Sequence, residues 1–281
     1  MWWHEYLTSS TGVDTTASKD IQIALPTLST AGGKEHFDLI RQWVTTCDGN
    51  PTHPTCNSVD RAKEKRRIPT RLIDVGTSTD GNVRLWETKP GDSAEYVALS
   101  HPWGKSPHFC MYRTKIEEEK RGIKLSDIKQ GIPQSSIPAS FLDSIIMTRA
   151  LGQRYLWIDS ICIDQGEDGD FPEEAKYMEA IFRQAYCVIA ASCSTGHFSG
   201  FLHQRKERKF VKFTGPNNEP FYICDNIDNF EEHVIKGNLN KRGWVLQEHA
   251  LARRTIFFTE HQTYWECGQR VRCETMGRMS K

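Results

Sequence analysis

The sequence lacks the features that mark membrane, secreted and nucleic-acid-binding proteins. No apolar run among its 281 residues approaches the length of a membrane span. The opening segment, MWWHEYLTSS, has neither the basic start nor the apolar core of a secretory signal. An excess of one charge is also missing, because 36 Lys and Arg residues balance 36 Asp and Glu residues, so the composition favours neither nucleic acid nor a membrane as a partner. We interpret the nine cysteines as mostly reduced thiols. Together with the missing signal, they predict a cytosolic or nuclear protein, and we expect it in the cytoplasm.

Buried-type strands alternate with amphipathic helices in the middle of the chain. The strands are EYVALS (95–100), RYLWID (154–159) and YCVIAAS (186–192), and the helices between them are SFLDSIIMTRALG (140–152) and EEAKYMEAIFRQA (173–185). Near-continuous apolar runs are typical of strands that are covered on both faces, and apolar residues at helical spacing form one face of each helix. The alternation predicts an α/β fold with a central parallel sheet flanked by helices.

Polar and aromatic residues stand where the first two of these strands end. LSHPWG brings Ser100, Trp103 and Gly104 to the first strand end, and WIDSICIDQ brings Asp159 and Gln165 to the second. Open parallel sheets bind ligands outside the carboxyl ends of their strands. We therefore predict that Ser100 and Asp159 lie at the ends of neighbouring parallel strands and line one site.

Shorter segments predict additional strands and one more helix. RLIDVG (71–76) and VRLWET (83–88) flank a turn and predict a hairpin. The further short strands are KFVKF (209–213), FYIC (221–224), TIFFT (255–259) and TYWEC (263–267). NKRGWVLQEHALARR (240–254) has a helical pattern in which Trp244 and Glu248 are four residues apart and share a face.

The segment CDGNPTHPTC contains three residue types that bind zinc, at Cys47, His53 and Cys56. A structural zinc site needs four ligands, and no fourth stands at a convincing spacing nearby. We therefore interpret the segment as a loop rich in proline and glycine and expect no bound metal.

Three segments together resemble the fungal heterokaryon incompatibility (HET) domain. They are YVALSHPWG (96–104), the stretch 137–192 that contains WIDSICIDQ, and RGWVLQEHALARRTIFF with YWEC (242–267). The resemblance covers roughly residues 36–270 and implies a HET domain over residues 61–281, preceded by a leader and a helical Cys/His segment over residues 1–60. In this family an aromatic residue often follows the serine of the first motif, where this chain has His101. Family members are often much longer, so we expect a short or C-terminally truncated member.

The resemblance implies a role in non-self recognition and in the programmed cell death that follows. HET domains are also distantly similar to TIR domains, which implies a TIR-like, flavodoxin-like sheet, and some TIR domains hydrolyse the nicotinamide–ribose bond of NAD. RGWVLQE resembles the helix start that carries the catalytic acid of those enzymes, so Glu248 is the catalytic candidate. NAD is then a substrate, and no cofactor or metal is expected. The implied protein partners are a second copy of the chain and another incompatibility or NLR-type protein.

The chemistry of NAD hydrolysis gives the strand-end residues possible roles. The reaction passes through an oxocarbenium-like state, as glycoside hydrolysis does, and a carboxylate near the ribose stabilises its positive charge. Trp103 or Trp244 can stack on a flat ring, while Ser100, Asp159 and Gln165 can hydrogen-bond to ribose or amide groups; with Gly104, these are the residues we expect to bind substrate.

Ordinary structural roles and two other functions stay open. Glu248 can pair with a surface arginine, Asp159 can cap the following turn, and Trp103 and Trp244 can be core residues, the role we assign to Trp157. The chain can instead be a self-assembling interaction module without chemistry, which the missing glycine-rich phosphate loop favours.

A metal-dependent hydrolase is the remaining alternative. It would use Asp159, Asp164 and Glu174 to hold magnesium near the second strand end.

Overall fold

The computed structural model describes residues 28, 30–51, 53, 56, 68–77, 81–113, 121–205, 208–214, 218, 220–241 and 243–276. Most of the leader expected over residues 1–60 therefore lies outside the described residues. The strands are β1 (Arg71–Asp74), β2 (Arg84–Glu87), β3 (Tyr96–Ser100), β4 (Phe109–Tyr112), β5 (Arg121–Lys124), β6 (Tyr155–Trp157), β7 (Cys187–Ala190), β8 (Phe210–Thr214), β9 (Pro220–Cys224), β10 (Arg254–Phe258), β11 (Thr263–Cys267) and β12 (Val271–Cys273). The α-helices are α1 (Lys34–Asp48), α2 (Leu125–Gln130), α3 (Ala139–Ala150), α4 (Asp159–Cys162), α5 (Phe171–Glu174), α6 (Met178–Gln184) and α7 (Gly243–Leu251).

Eight of these strands form one mixed sheet in the order β12-β11-β10-β7-β3-β6-β1-β2. The four central strands, β10, β7, β3 and β6, are parallel, which confirms the predicted α/β architecture. The expectation of a purely parallel central sheet needs correction, because β1 and β2 on one side and β11 and β12 on the other are antiparallel. Short connections explain the β1–β2, β10–β11 and β11–β12 pairs, since strands joined by a tight reversal pair antiparallel, whereas β1 pairs antiparallel with β6 over a long separation in sequence.

The parallel strands form the centre of the hydrophobic core. Every residue of β3, β7 and β10 is buried, as expected for strands covered on both faces. Trp157 of β6 is 1% exposed and packs edge-on against Phe182 of α6, with ring centroids 5.6 Å apart. This confirms the core role predicted for Trp157.

Helices cover both faces of the sheet. The connections β3–β6 and β6–β7 run in opposite directions across the sheet, so right-handed crossovers place α3 and α6 on opposite faces. The side chains agree with this placement, because neighbouring residues of an extended chain point to opposite faces. Trp157 contacts Phe182 of α6, whereas the next residue, Ile158, lines a small apolar cavity with Phe141 and Ile145 of α3. In addition, α1 packs against α3, and α7 packs against α6.

One predicted helix differs in detail from the structure, and two predicted strands form a separate sheet. The helix predicted over 173–185 is divided into α5, a 3₁₀ turn (Ala175–Tyr177) and α6. The strands KFVKF and FYIC form the antiparallel hairpin β8–β9, which makes a separate two-stranded sheet. Within the described part of the chain, no helix has the length and apolarity that crossing a membrane requires.

Candidate active site at the carboxyl ends of the parallel strands

Three loops meet where β3, β6 and β7 end. Ser100 lies opposite Ala190 in the β3–β7 register, and Ala98 lies opposite Trp157 in the β3–β6 register. The segments that follow these strands therefore start at the same edge of the sheet. As predicted, Ser100 and the Asp159 segment stand at the ends of neighbouring parallel strands.

Asp159 is the central polar residue of this edge. Its Oδ2 accepts a 2.8 Å hydrogen bond from the indole Nε1 of Trp103, and its Oδ1 accepts a 2.7 Å bond from the backbone N–H of Ser160. The Nε2 atom of His101 is 4.0 Å from Oδ1. The Asp159 side chain is still 21% exposed, so its carboxylate is held in a fixed orientation and reaches solvent.

A cluster of histidine rings surrounds Trp103. The His197 ring lies 5.1 Å from the ring of His101, 5.6 Å from that of Trp103 and 4.8 Å from that of Phe141. His108 lies 5.4 Å from Trp103. The backbone N–H of Phe109 donates to Nδ1 of His197 at 3.0 Å, so a neutral His197 carries its proton on Nε2.

The sequence analysis did not identify His108 and His197 as site residues. Each is an isolated histidine in a loop, without a ligand spacing or a motif. The available signal was topological: both follow parallel strands, β3 and β7, whose carboxyl ends meet at this edge.

Gly104 allows the loops after β3 and β7 to touch backbone against backbone. Its φ is +78°, and a Cβ atom there would lie 2.7 Å from the carbonyl oxygen of Thr195 and 2.8 Å from Cα of Gly196. A side chain at either glycine would push the loops apart. Gly104 therefore positions the walls of the site.

Serines and one aspartate fix the loop after β7 onto the start of α3. Ser140 Oγ donates to the carbonyl of Gly196 at 2.7 Å, and Oδ2 of Asp143 accepts the backbone N–H groups of Phe201 and Leu202 at 2.6 and 2.9 Å. Burial raises the pKa of Asp143 more than these backbone donors lower it. The loop that carries His197 is thus tied to a helix terminus.

Two buried hydroxyls at this edge have no hydrogen-bond partner among the described residues. They are Oγ of Ser100 and Oγ of Ser160. Buried polar groups are rarely left without a partner. Ser100 is therefore suited to hydrogen-bond to a ligand at the end of β3.

Gln165 folds back toward the turn that begins at Asp159. Its Nε2 lies 3.4 Å from the backbone carbonyls of Asp159 and Ile163. The amide thus supports the α4 turn, in the segment between Asp159 and Asp164.

The three acids considered for a magnesium site are held separately. Asp164 Oδ1 accepts the backbone N–H groups of Arg113 and Gly166, each at 3.1 Å, and Glu174 accepts the hydroxyl of Thr70. Among the described residues, one group of His, Cys, Asp or Glu brings three or more ligand atoms within 4.8 Å of one another, and it contains none of these acids. The geometry gives the magnesium alternative no support.

Asp170, a nearby acid, forms ion pairs with two arginines. Asp170 Oδ2 accepts 2.6 Å and 3.1 Å bonds from Arg71 and Arg113. Burial raises the pKa of Asp170, but the Arg71 hydrogen bond and the backbone N–H of Asp164 outweigh it, and the net shift is downward. Asp170 is thus a structural ion-pair partner.

Glu248 is a buried acid on α7, with 9% of its surface exposed. Its burial distinguishes it from the exposed glutamates of the chain, such as Glu173. Its neighbour His249 bonds to Glu266 of β11 at 2.5 Å, which fixes this end of α7 against the sheet. The side chain of Trp244 lies outside the described residues.

A second cluster lies at the opposite end of the sheet. The ligand atoms of Cys47, His53, Cys56 and Cys267 all lie within 4.8 Å of one another, and all four residues are buried. In the antiparallel β10–β11 register, Cys267 lies opposite Arg254, the first residue of β10. This cluster is therefore at the amino ends of the parallel strands. The expectation of no metal rested on a missing fourth ligand, and the fold places Cys267 beside the other three.

Comparison with known proteins identifies the family. The model of the family described as "Heterokaryon incompatibility protein (HET)" matches residues 96–248, slightly more than half of the chain. No curated protein and no solved structure matches the chain. The matched segment begins with β3, contains the loops that meet at the carboxyl edge, and ends at Glu248. The chain therefore belongs to the heterokaryon incompatibility protein (HET) family.

Proposed function

We propose that this protein acts in the cytoplasm in fungal non-self recognition and programmed cell death, by hydrolysing the nicotinamide–ribose bond of NAD. The observation that carries the proposal is the carboxylate of Asp159, fixed by Trp103 and by the backbone of Ser160 yet open to solvent. It follows the end of β6, and Ser100 ends the neighbouring parallel strand β3.

The order of the parallel strands supports a TIR-like relationship. Numbered along the chain, β3, β6, β7 and β10 are the first to fourth parallel strands, and their order across the sheet is second, first, third, fourth. Flavodoxin-like sheets share this order and bind ligands where it reverses, beside the first and third strands. Here those strands are β3 and β7, whose loops carry Trp103 and His197.

The helix α7 brings Glu248 into the proposed mechanism. Only two residues separate α7 from the start of β10, so α7 ends near the amino edge of the sheet and begins toward the carboxyl edge. Glu248 lies three residues before the end of α7, and helical side chains tilt toward the helix start, so the proposal requires its carboxylate to extend toward the carboxyl edge. The nicotinamide riboside end of the substrate would enter beside α7.

The residues then have distinct roles in the proposed reaction. Water adds to C1′ of the ribose, the C–N bond to nicotinamide breaks with its electron pair, and ADP-ribose, nicotinamide and a proton are released. The negative charge of Glu248 stabilises the oxocarbenium-like state. Asp159 and Ser100 bind ribose hydroxyls, and Trp103 contacts a flat ring.

Release of nicotinamide by the purified protein tests this function. Glu248→Gln keeps the size of the side chain and removes its charge, so the rate should fall about 10²–10³-fold; thermal melting of the same samples separates this loss from a loss of folding. The matched control is Glu173→Gln, since Glu173 is an exposed acid paired with Lys176; its rate should equal that of wild type. Equal rates for wild type and Glu248→Gln would remove Glu248 from the mechanism. Activity that is lost in chelator and restored by Mg²⁺ but not by Zn²⁺ would revive a magnesium-dependent reaction.

A self-assembling signalling module is the second candidate, and the β8–β9 hairpin favours it. Four apolar residues of this hairpin are exposed: Phe210 by 60%, Val211 by 58%, Phe213 by 42% and Ile223 by 58%. An apolar surface of this kind commonly marks a protein contact. The hairpin strands pair only with each other in the described part of the chain, so a second copy can pair along an edge.

Sedimentation velocity over a range of protein concentrations distinguishes the two candidates. Val211→Ser should weaken association of an assembling module, and Lys212→Ser on the same strand is the control. Assembly without nicotinamide release at any concentration would favour the module, in which a second copy or another incompatibility or NLR-type protein is the partner. Nicotinamide release that is unchanged in Val211→Ser would favour the enzyme.

A further inference from the structure

The Cys/His cluster at the amino edge of the sheet is a closed set of four ligands. We propose that Cys47, His53, Cys56 and Cys267 bind one structural zinc ion. Three thiolates and one imidazole form a common structural zinc set. The four cysteine and histidine side chains converge although Cys267 is far from the other three in sequence.

The spacing of the ligand atoms fits one tetrahedral ion. Zinc lies about 2.3 Å from sulfur and about 2.0–2.1 Å from nitrogen, which puts neighbouring ligand atoms roughly 3.5–3.8 Å apart. Nδ1 of His53 is 3.4 Å from Sγ of Cys47 and 3.9 Å from Sγ of Cys267. The atoms thus have the separations of ligands around a shared centre.

Local backbone turns direct the first three ligands to the same side. The N–H of His53 donates to the carbonyl of Asn50 at 3.1 Å, and the N–H of Cys56 donates to the carbonyl of His53 at 3.1 Å. These turns follow the last residues of α1, where Cys47 is buried. The spacing Cys-x5-His-x2-Cys therefore folds into a compact three-ligand unit.

A buried arginine lies beside the proposed centre and partly offsets its charge. Three thiolates around Zn²⁺ leave one net negative charge. The guanidinium of Arg254, which is 1% exposed, ion-pairs with Asp48 and donates to the carbonyl of Cys56 at 3.1 Å. A cation held beside a zinc–thiolate centre stabilises its negative charge, as outer-shell groups commonly do.

The position of the cluster predicts a structural role. It lies at the end of the sheet opposite Asp159, and all four ligands come from the protein, which leaves no position open for a substrate. The ion would tie the segment after α1 to the end of β11. That segment, DGNPTHPTC, has few apolar side chains, so metal binding would supply much of its folding energy.

Metal analysis of the full chain, purified under reducing conditions without chelator, tests the proposal. We expect about one zinc per chain. Replacing the native metal with Co²⁺ should give the absorption of a tetrahedral thiolate site. Cys267→Ser should lose the zinc, whereas Cys193→Ser should keep it, because Cys193 is a free cysteine outside the cluster.

A second measurement covers the case in which Cys267→Ser does not fold. Chelator treatment of wild type should lower the melting temperature, and added zinc should restore it. Because the cluster contains none of the proposed active-site residues, zinc removal should lower nicotinamide release only where it also unfolds the protein. Protein without zinc that also binds neither zinc nor Co²⁺ would overturn the proposal. A metal-free protein whose mass is two hydrogens below that of the reduced chain would contain a disulfide and would also overturn the proposal. Equal loss of zinc from Cys193→Ser and Cys267→Ser would do the same.

Discussion

The indole N–H of Trp103 donates a 2.8 Å hydrogen bond to Oδ2 of Asp159, and this bond joins the loops that follow two neighbouring parallel strands. Trp103 was expected either to stack on a ligand or to serve as a core anchor. In the structure its indole orients a carboxylate, and stacking on a ligand stays a prediction. Asp159 also accepts the backbone N–H of Ser160, and its side chain stays 21% exposed.

Trp103→Phe tests the importance of that bond. The change keeps an aromatic ring but removes the donor, and a hydrogen bond to a charged group contributes about 1.5–3 kcal/mol. If the proposed function is correct, kcat/KM for NAD should fall roughly 10–100-fold. Steady-state nicotinamide release measures this. The control is Trp86→Phe, which alters a half-buried tryptophan of β2; an equal loss in both variants would show a general packing effect.

Gly104→Ala tests the close contact between the loops after β3 and β7. A left-handed backbone costs a non-glycine residue about 1–2 kcal/mol, and the clash with Thr195 and Gly196 adds to this cost. Gly152→Ala is the matched control, because Gly152 has a φ of +72° and open space around it. Urea unfolding should show a larger loss for Gly104→Ala. Equal losses would mean that the loops separate without cost.

Trp157→Ala should remove about 3–5 kcal/mol of unfolding free energy, as truncation of a large core aromatic does. The reason is its complete burial and its contact with Phe182 across the α6 face. Chemical denaturation measures the loss, with Trp86→Ala on the edge strand β2 expected to cost less. A Trp157→Ala protein that unfolds at the wild-type denaturant concentration would contradict the central position of β6.

Glu274 should make the protein sensitive to acid. Burial raises its pKa, but the hydrogen bond from His36 and the charge of Arg205 outweigh burial and lower the pKa to about 2. Arg205 Nη1 donates to Oε2 at 2.6 Å, and the backbone N–H of Thr263 donates to Oε1 at 2.7 Å. Because the folded-state pKa is depressed, the stabilisation is complete above the unfolded value of about 4.3 and is lost as the pH falls toward 2.

The free energy involved is about 3 kcal/mol, since each pKa unit corresponds to 1.36 kcal/mol. Unfolding free energies of wild type and Glu274→Gln between pH 5 and pH 2 measure it. The variant should be less stable at pH 5 and should show a flatter dependence on pH. Parallel curves would show that Glu274 titrates normally in the folded protein.

The sequence by itself determined the parallel core and the identity of its strand ends. Near-continuous apolar runs and apolar residues at helical spacing are local patterns, and they locate β3, β6, β7, α3 and α7 within a few residues. The rule that parallel strands share a carboxyl edge then brings Ser100 and Asp159 together. The family motifs added Glu248, which no local pattern distinguishes from other helical glutamates.

Only the tertiary structure decided the contacts between segments far apart in the chain. It placed antiparallel strands at both edges of the sheet, His197 beside Trp103, and Cys267 beside Cys47 and His53. Spacing along the sequence has no information on such pairs, because they depend on strand order and register. The fourth ligand of the proposed zinc site could not be found near the first three in sequence, because Cys267 is on β11 and only the fold brings it there.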